Sequence, residues 1–373
     1  MTLTKTASTV KRGVVLSIVL VITYYISLFV IIPLAKGALS SLFPTRNPPT
    51  PIYGKLQQLE FVETALDNQQ PPAYKLDTKT GRLPDNMPDR MTVYRFRPVP
   101  FSYQSGKNAI DSASVLGFYN EDLVTDLKGT TFTWRKILSN GVLEINKDTK
   151  EVSLLTPLNG TSDKFPRGRL FASKIIDTAK KLLTDIQRFD DELYKNGRQT
   201  VLLGKFQNNA LVPTEITVEA QIARVDFFRK INNYDIVTPT FRDGLIYMYV
   251  REPQRDEIFY NYPVVETHIW EIESQSNATY PIIPVSQVWT RIQNNEGVLV
   301  SVTPKDGNLF RQQLPTKVEE IFIDNIYLAY YDSIKLQKFL QPIYVFEGKY
   351  TTAGTQGGSI AIYYPAISGE YIE

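Results

Sequence analysis

The longest apolar stretch of the chain lies near its amino terminus. It runs without a charged residue from Val14 to Ala35, and these 22 residues would form a helix of about 33 Å, close to the roughly 30 Å core of a bilayer. A buried core helix and a cleaved signal peptide are the alternatives, but core helices seldom lack a polar face over such a length and signal cores are shorter. The pattern therefore predicts one transmembrane helix, residues 13–36, in contact with the lipid bilayer.

The residues around this segment predict its orientation. Three basic residues precede it and two follow it, which favours a cytoplasmic tail over residues 1–12. The absence of cysteine suits an oxidising compartment, and sequons for glycosylation begin at Asn159 and Asn277. We therefore expect a single-pass plasma-membrane protein whose carboxy-terminal part is extracytoplasmic.

Beyond the apolar segment, prolines predict an extended spacer over residues 37–90. Three later segments carry apolar residues at helical spacing: Asn108–Leu116, Arg169–Lys195 and Val285–Ile292. Runs rich in β-branched and aromatic residues predict strands. These runs are Met91–Phe96, Phe132–Ile137, Val142–Leu155, Thr200–Leu203, Thr214–Phe228, Leu245–Arg251, Val264–Ile272, Val298–Val302, Val318–Tyr331, Pro342–Tyr350 and Ser359–Tyr364.

The order of these elements predicts an α+β fold. A helix followed by antiparallel strands occurs at least twice, which favours two related antiparallel-sheet-plus-helix units over alternating parallel βαβ units. We place the first unit at residues 91–168 and a second, larger unit at residues 169–373. The Gly-rich run from Gly354 to Ser359 lacks the lysine of a phosphate-binding loop, so it is interpreted as a hairpin loop.

Composition and charge then limit the kinds of functional site that the chain can form. Without cysteine, the chain has no disulfide, thiolate metal site or thiol nucleophile, and its one histidine, His268, excludes sites that need two imidazoles. The 41 basic and 39 acidic residues are interleaved, which predicts no nucleic-acid partner. No cofactor and no metal site is predicted. His268 lies in an apparent strand, where it is interpreted as structural, or as a mild pH sensor beside Glu266 or Glu271.

Aromatic residues are the one compositional excess, with 22 tyrosines and 19 phenylalanines. Most are expected to be half-buried in sheets, as is usual for strand aromatics. Because tyrosine is enriched in partner interfaces, the tyrosine clusters are also candidates for an interaction surface. This candidate surface consists of Tyr260, Tyr262, Tyr330, Tyr331, Tyr363 and Tyr364.

Several runs resemble a known family. Tyr280–Pro284 with Val288 and Trp289, Tyr327–Tyr331 and Phe339–Gly348 look like the carboxy-terminal part of YycH/YycI-type proteins. The helix ending at Leu116, with the strands after it, is similar to the unit of these and PepSY-like domains. The resemblance covers about a third of the chain. It implies a membrane-anchored extracytoplasmic α+β domain that regulates a cell-wall-sensing histidine kinase, and it carries over no catalytic residue.

Together these observations predict a non-enzymatic binding or regulatory protein that acts on an envelope protein or a cell-wall component. Two alternatives stay open. One is a membrane-anchored cell-wall hydrolase that uses two carboxylates, which are assembled in space and leave no spacing rule in the sequence. The other is a structural component associated with a surface layer or a pilus. The densest acidic cluster, Asp190–Glu192, is interpreted as a solvated polar face.

Overall fold

The computed structural model describes residues 20–21, 23–25, 48–97, 102–125, 128–158, 170–189, 192–252, 258–311 and 313–373. The chain divides into two compact units, Met1–Pro49 and Thr50–Glu373. Within the first unit, the described residues between 20 and 25 are helical. The sheets, helices and candidate site described below all belong to the second unit.

Short helices and many strands build this second unit. Its helices are α1 (Ser105–Val115), α2 (Ala172–Asp185), α3 (Glu192–Lys195), α4 (Ile258–Asn261) and α5 (Val285–Gln293). Its strands are β1 (Ala73–Leu76), β2 (Arg90–Thr92), β3 (Tyr94–Arg95), β4 (Thr131–Lys136), β5 (Gly141–Asn146), β6 (Val152–Leu155), β7 (Gln199–Gln207), β8 (Ala210–Pro213), β9 (Ile222–Phe227), β10 (Lys230–Ile231), β11 (Tyr234–Val237), β12 (Ile246–Val250), β13 (Val264–Thr267), β14 (Thr279–Pro281), β15 (Val298–Pro304), β16 (Glu320–Tyr331), β17 (Phe339–Thr352) and β18 (Thr355–Pro365).

Eight antiparallel strands form what we call the first sheet, in the order β4-β5-β6-β13-β12-β9-β7-β8. Alternate residues of each strand point to one side, where they pack against α1 and α2. Helix α2 buries Ile175, Ala179, Leu182 and Leu183, which recur at helical spacing and so form one stripe. The two helices therefore seal one face of the first sheet.

A second sheet contains the longest strands among the described residues. Its order is β10-β11-β16-β17-β18-β15, with β1 pairing parallel to β16 and β3 pairing with β17. Apolar clusters lie on both of its faces. The segment predicted to be a spacer contributes to this packing, since Leu56 is fully buried and β1 belongs to the sheet.

The predicted fold class is corrected by this architecture. The described chain is mostly β-sheet, and its sheets are not two successive helix-plus-sheet units. The predicted boundary between residues 168 and 169 falls within the stretch that supplies the first sheet, because β6 pairs with β13. Periodicity indicates which residues of one element share a face. The pairing of distant strands depends on which of these faces are buried together, and a local pattern does not give that information.

The prediction of a single-pass membrane protein is corrected as well. The longest described helix, α2, has 14 residues and is therefore about 21 Å long, short of the roughly 30 Å of a bilayer core. No helix among the described residues is both long enough and apolar enough to cross a membrane. Most of Val14 to Ala35 lies outside the described residues. The transmembrane helix, the plasma-membrane location and the extracytoplasmic assignment are therefore not retained.

Local predictions agree with the structure better than long-range ones. Helices α1 and α5 and most predicted strands lie where the pattern places them. Strands β17 and β18 join in a hairpin at Gly354 as expected, but the predicted loop residues Thr355 to Ser359 belong to β18. The long helix expected over Arg169–Lys195 is two shorter ones. Helix α2 ends at Asp185, and Gln187 has a positive φ of 58°, which interrupts the helix before α3.

Buried tyrosines form hydrogen bonds that connect segments far apart in the sequence. Their hydroxyls donate hydrogen bonds to backbone carbonyl oxygens far away in sequence, and burial raises the pKa of Tyr344 to about 12, so the donor proton is retained. These pairs are Tyr280 to Gly54, Tyr330 to Thr92, Tyr331 to Glu60, Tyr344 to Ile283 and Tyr363 to Thr238, at 2.7–3.1 Å. The tyrosine excess therefore has a structural explanation.

Replacing Tyr363 with Phe is expected to lower the free energy of unfolding by about 1–2 kcal/mol, because the buried carbonyl of Thr238 loses its donor. Urea denaturation followed by fluorescence measures this loss. Tyr350 is almost as buried but makes no hydroxyl hydrogen bond among the described residues, so Tyr350→Phe is the matched control. Equal losses in both variants would show that the bond to Thr238 contributes nothing.

Candidate binding face

The face of the first sheet that points away from α1 and α2 carries most of its polar chemistry. We call it the outer face. Strand alternation places apolar residues such as Val225 and Met248 on the inner face, and their neighbours Arg224, Asp226 and Tyr247 on the outer face. This side of the sheet therefore differs chemically from the sealed side.

Strand register arranges the outer-face side chains in two adjacent rows that run across the strands. From β4 to β9, the first row is polar and consists of Thr133, Glu144, Ser153, Glu266, Tyr247 and Asp226. The second row is more apolar between its two arginines and consists of Arg135, Val142, Leu155, Val264, Tyr249 and Arg224. Partners in a row lie on neighbouring strands, about 4.8 Å apart.

The only histidine of the chain lies on this face, beyond the end of β13. Its Nδ1 is 3.1 Å from Glu151 Oε1, and its Nε2 is 3.6 Å from Glu266 Oε2. Both carboxylates are oriented by hydroxyls: Ser153 donates to Glu266 at 2.7 Å, and Thr149 donates to Glu151 at 2.9 Å. The carboxylates of Glu266 and Glu151 raise the pKa of His268 above its ordinary value of 6.5, although partial burial opposes this.

A second charged group lies where the outer face is covered. The Arg224 guanidinium donates to both oxygens of Asp226, at 2.9 and 2.7 Å, and its Nη2 lies 3.0 Å from Asp243 Oδ1. The Gly244 N–H also donates to Asp226, at 2.9 Å. Burial raises the pKa of Asp226 to about 6, although Arg224 and Gly244 stabilise its charged form. The guanidinium lies 4.4 Å from the centre of the Tyr247 ring.

Coverage divides the outer face into two parts. Over β7 and β12, Phe310 lies against Gly204 and its ring centroid is 6.0 Å from that of Tyr249. Over β5 and β6, solvent reaches the sheet, since Leu155 is 56% exposed and Glu144 is exposed. We call this accessible part the outer patch. It consists of Val142, Glu144, Glu151, Ser153, Leu155, Glu266 and His268.

The tyrosines predicted as an interaction surface lie elsewhere. Tyr330, Tyr331, Tyr363 and Tyr364 are buried on the second sheet, at most 8% exposed. Tyr260 and Tyr262 are half-buried and pack at the edge of the first sheet's core. These six residues therefore form no common exposed surface in this structure.

Sequence patterns identify part of the outer patch. Glu266 is one of the two predicted neighbours of His268, and the structure places it there. Glu271 is the other, but its carboxylate lies 3.9 Å from Arg97 instead. Glu151 is absent from the sequence-based set because it reaches His268 only through the pairing of β6 with β13. Its alternation with Ser153 and Leu155 is the available signal.

Other expected sites add little chemistry. No group of His, Cys, Asp or Glu in the described part of the chain is arranged to hold a metal ion. Two of the three residues of the acidic cluster Asp190–Glu192 lie outside the described residues, as does the sequon asparagine Asn159. Asn277, of the other sequon, is exposed shortly before β14, and its backbone carbonyl accepts a hydrogen bond from the Thr50 hydroxyl.

Comparisons with known proteins identify no family. No family model and no curated protein matches the sequence. A solved structure that it resembles is the crystal structure, at 1.45 Å resolution, of an uncharacterized protein from Eubacterium rectale ATCC 33656. The match has 10% sequence identity and a TM-score of 0.43, and it covers 75% of this chain and 85% of the other. The resemblance to YycH/YycI-type and PepSY-like proteins stays a prediction.

Proposed function

We propose that this protein is a non-catalytic binding protein that holds another protein against the outer patch. The proposal rests on one observation: helices cover one face of the first sheet, whereas the other face is partly exposed to solvent. The inner face is sealed by α1 and α2, whereas part of the outer face presents exposed Leu155 beside three carboxylates. An apolar centre surrounded by a polar rim is the arrangement found in protein interaction sites.

The contacts within the outer face favour binding over catalysis. The Ser153 hydroxyl donates to Glu266 and not to His268, so the imidazole is not paired with that hydroxyl as a general base would be. Both oxygens of Asp226 accept hydrogen bonds from Arg224, which commits that carboxylate to a buried ion pair. The Ser153 hydroxyl and the Arg224 guanidinium are therefore hydrogen-bonded to carboxylates of the same face.

Site-specific photo-crosslinking tests this function, and the absence of cysteine makes single labels clean. A photoreactive label on Glu144→Cys lies on the outer patch, and the same label on Gln287→Cys lies on the exposed side of α5 as the matched control. We expect one protein to be captured at position 144 and not at position 287. Equal capture at both positions, or none at position 144, would contradict the proposal.

The catalytic alternative makes a different prediction. A hydrolase with two carboxylates would use Glu266 and Asp226, which flank Tyr247 in one row, and the raised pKa of Asp226 is a feature of catalytic acids. Turnover of cell-wall polymers by the protein, abolished by Asp226→Asn or Glu266→Gln, would replace our proposal with that one. The regulation of a sensor kinase and an envelope or cell-wall partner remain predictions.

A further inference from the structure

We propose that the occupant of the outer patch is an extended cationic segment of a partner protein, and that loss of the proton from His268 strengthens its binding. This inference rests on the proposed function and adds the chemistry of the partner and its control. It depends on three features of the outer patch: its charge, the spacing of its rows and the position of the imidazole.

Charge favours a basic partner. The outer patch contains three carboxylates, Glu144, Glu151 and Glu266, and one basic member, His268. The exposed Arg135 of β4 borders it opposite Val142, so acidic groups still outnumber basic ones. Glu144 is exposed and makes no ion pair among the described residues. The side chains of Glu151 and Glu266 keep 27% and 18% of their exposure, so an approaching cation still reaches them. Complementary charge attracts such a segment, and an acidic one would be repelled.

The spacing of the rows favours an extended segment. Along β5, Glu144 of the polar row and Val142 of the apolar row are two residues apart, and Ser153 and Leu155 are likewise two apart along β6. Two residues of a strand span about 6.8 Å, which is also the distance between alternate side chains of an extended peptide. A segment with a basic residue at one position and an apolar residue two positions later matches both rows.

The imidazole controls the charge that this segment meets. Two carboxylates face His268: Glu151, which directly precedes β6, and Glu266, which lies in β13. Tyr247 on β12 lies beside Glu266. Beyond Tyr247, the Arg224, Asp226 and Asp243 side chains are paired with one another. A protonated His268 therefore neutralises part of the charge of Glu151 and Glu266. The neutral imidazole, formed as pH rises above the raised pKa, leaves both carboxylates to the partner.

Two labelled peptides test the chemistry directly. One has the sequence Lys-Thr-Val-Thr repeated twice, and the other has Glu in place of each Lys. Fluorescence anisotropy with the full chain at low salt is expected to show binding of the Lys peptide only. The variant Glu144→Gln/Glu151→Gln/Glu266→Gln should bind it about tenfold more weakly, since each of three charge contacts contributes part of that factor.

A matched control separates local charge from net charge. Glu63, Glu296 and Glu370 are exposed and lie outside the outer patch, so their combined change to Gln alters the net charge equally. That variant should keep its affinity for the Lys peptide at low salt within about twofold. Equal binding of the two peptides, or equal weakening in the two triple variants, would overturn the proposed partner chemistry.

The same assay tests the imidazole. Between about pH 6 and about pH 8.5 we expect the affinity of the original chain for the Lys peptide to rise about fivefold, and that of His268→Gln to stay flat. An equal rise in both would overturn the role of His268. Capture of an acidic segment at position 144 would contradict this inference but would agree with the proposed function. Binding of the Lys peptide without site-specific capture would show that the outer patch accepts basic peptides but would contradict the proposed function, and with it a partner protein as their source.

Discussion

Replacing Arg229 with Met is expected to lower the free energy of unfolding by about 3–5 kcal/mol. Arg229 follows β9 of the first sheet and forms an ion pair with Asp332, which follows β16 of the second sheet. Their side chains are only 1% and 2% exposed. The guanidinium also donates to the Trp270 carbonyl at 2.6 Å. The substitution would leave the buried Asp332 carboxylate without its cation, which is the costly part of breaking such a pair.

Two further variants show whether the loss comes from the buried charge. In Arg229→Met/Asp332→Leu both charges are removed, so we expect part of the stability to return. The ion pair between Lys75 and Glu320 is half exposed, and Lys75→Met should cost less than about 1 kcal/mol. Urea denaturation followed by circular dichroism measures all three variants. A loss in Arg229→Met no greater than in Lys75→Met would refute the prediction.

Replacing Gly348 with Ala is expected to cost more than about 3 kcal/mol. Gly348 lies in β17 opposite Ile323 of β16, next to an irregularity in the register of these strands. A Cβ atom at this position would lie 2.0 Å from the carbonyl oxygen of Phe322. Because that oxygen belongs to the backbone, no rotation of a side chain relieves the overlap, and the two strands must separate.

Gly369 supplies the matched control for this substitution. A Cβ atom added there would have no other residue's atoms within 4 Å beyond its chain neighbours, and the backbone needs no positive φ. Gly369→Ala should therefore change stability by less than about 0.5 kcal/mol. Thermal unfolding of both variants checks the difference. Similar midpoints for Gly348→Ala and the original chain would mean that β16 and β17 approach less closely than described.

Sequence periodicity predicts local elements because local burial has a local pattern. The alternation within Ile246–Val250 and the helical stripe of Ile175, Ala179 and Leu182 are both visible without any partner. The pairing of β6 with β13 is different, because residues about a hundred positions apart share one ladder. That pairing decides which carboxylate meets His268, so the sequence locates one of its two partners and misses Glu151.

The tyrosines show a second limit of sequence reasoning. A tyrosine in a strand suits a half-buried sheet, an interface or a buried hydrogen bond, and composition does not separate these roles. For Tyr331 and Tyr363 the outcome depends on the carbonyls of Glu60 and Thr238, which lie far away along the chain. The clusters are therefore visible in the sequence, but their role is decided by the segments that cross over them.

The interleaving of the two sheets along the chain sets an order for their completion during synthesis. All strands of the first sheet have been made once Thr267 leaves the ribosome, whereas β1 and β3 of the second sheet wait for β16 and β17. Domains generally form as units during synthesis, and pairings distant in sequence form slowly. The nascent chain therefore carries the outer patch on a completed sheet at a stage when β1 and β3 still lack their partner strands.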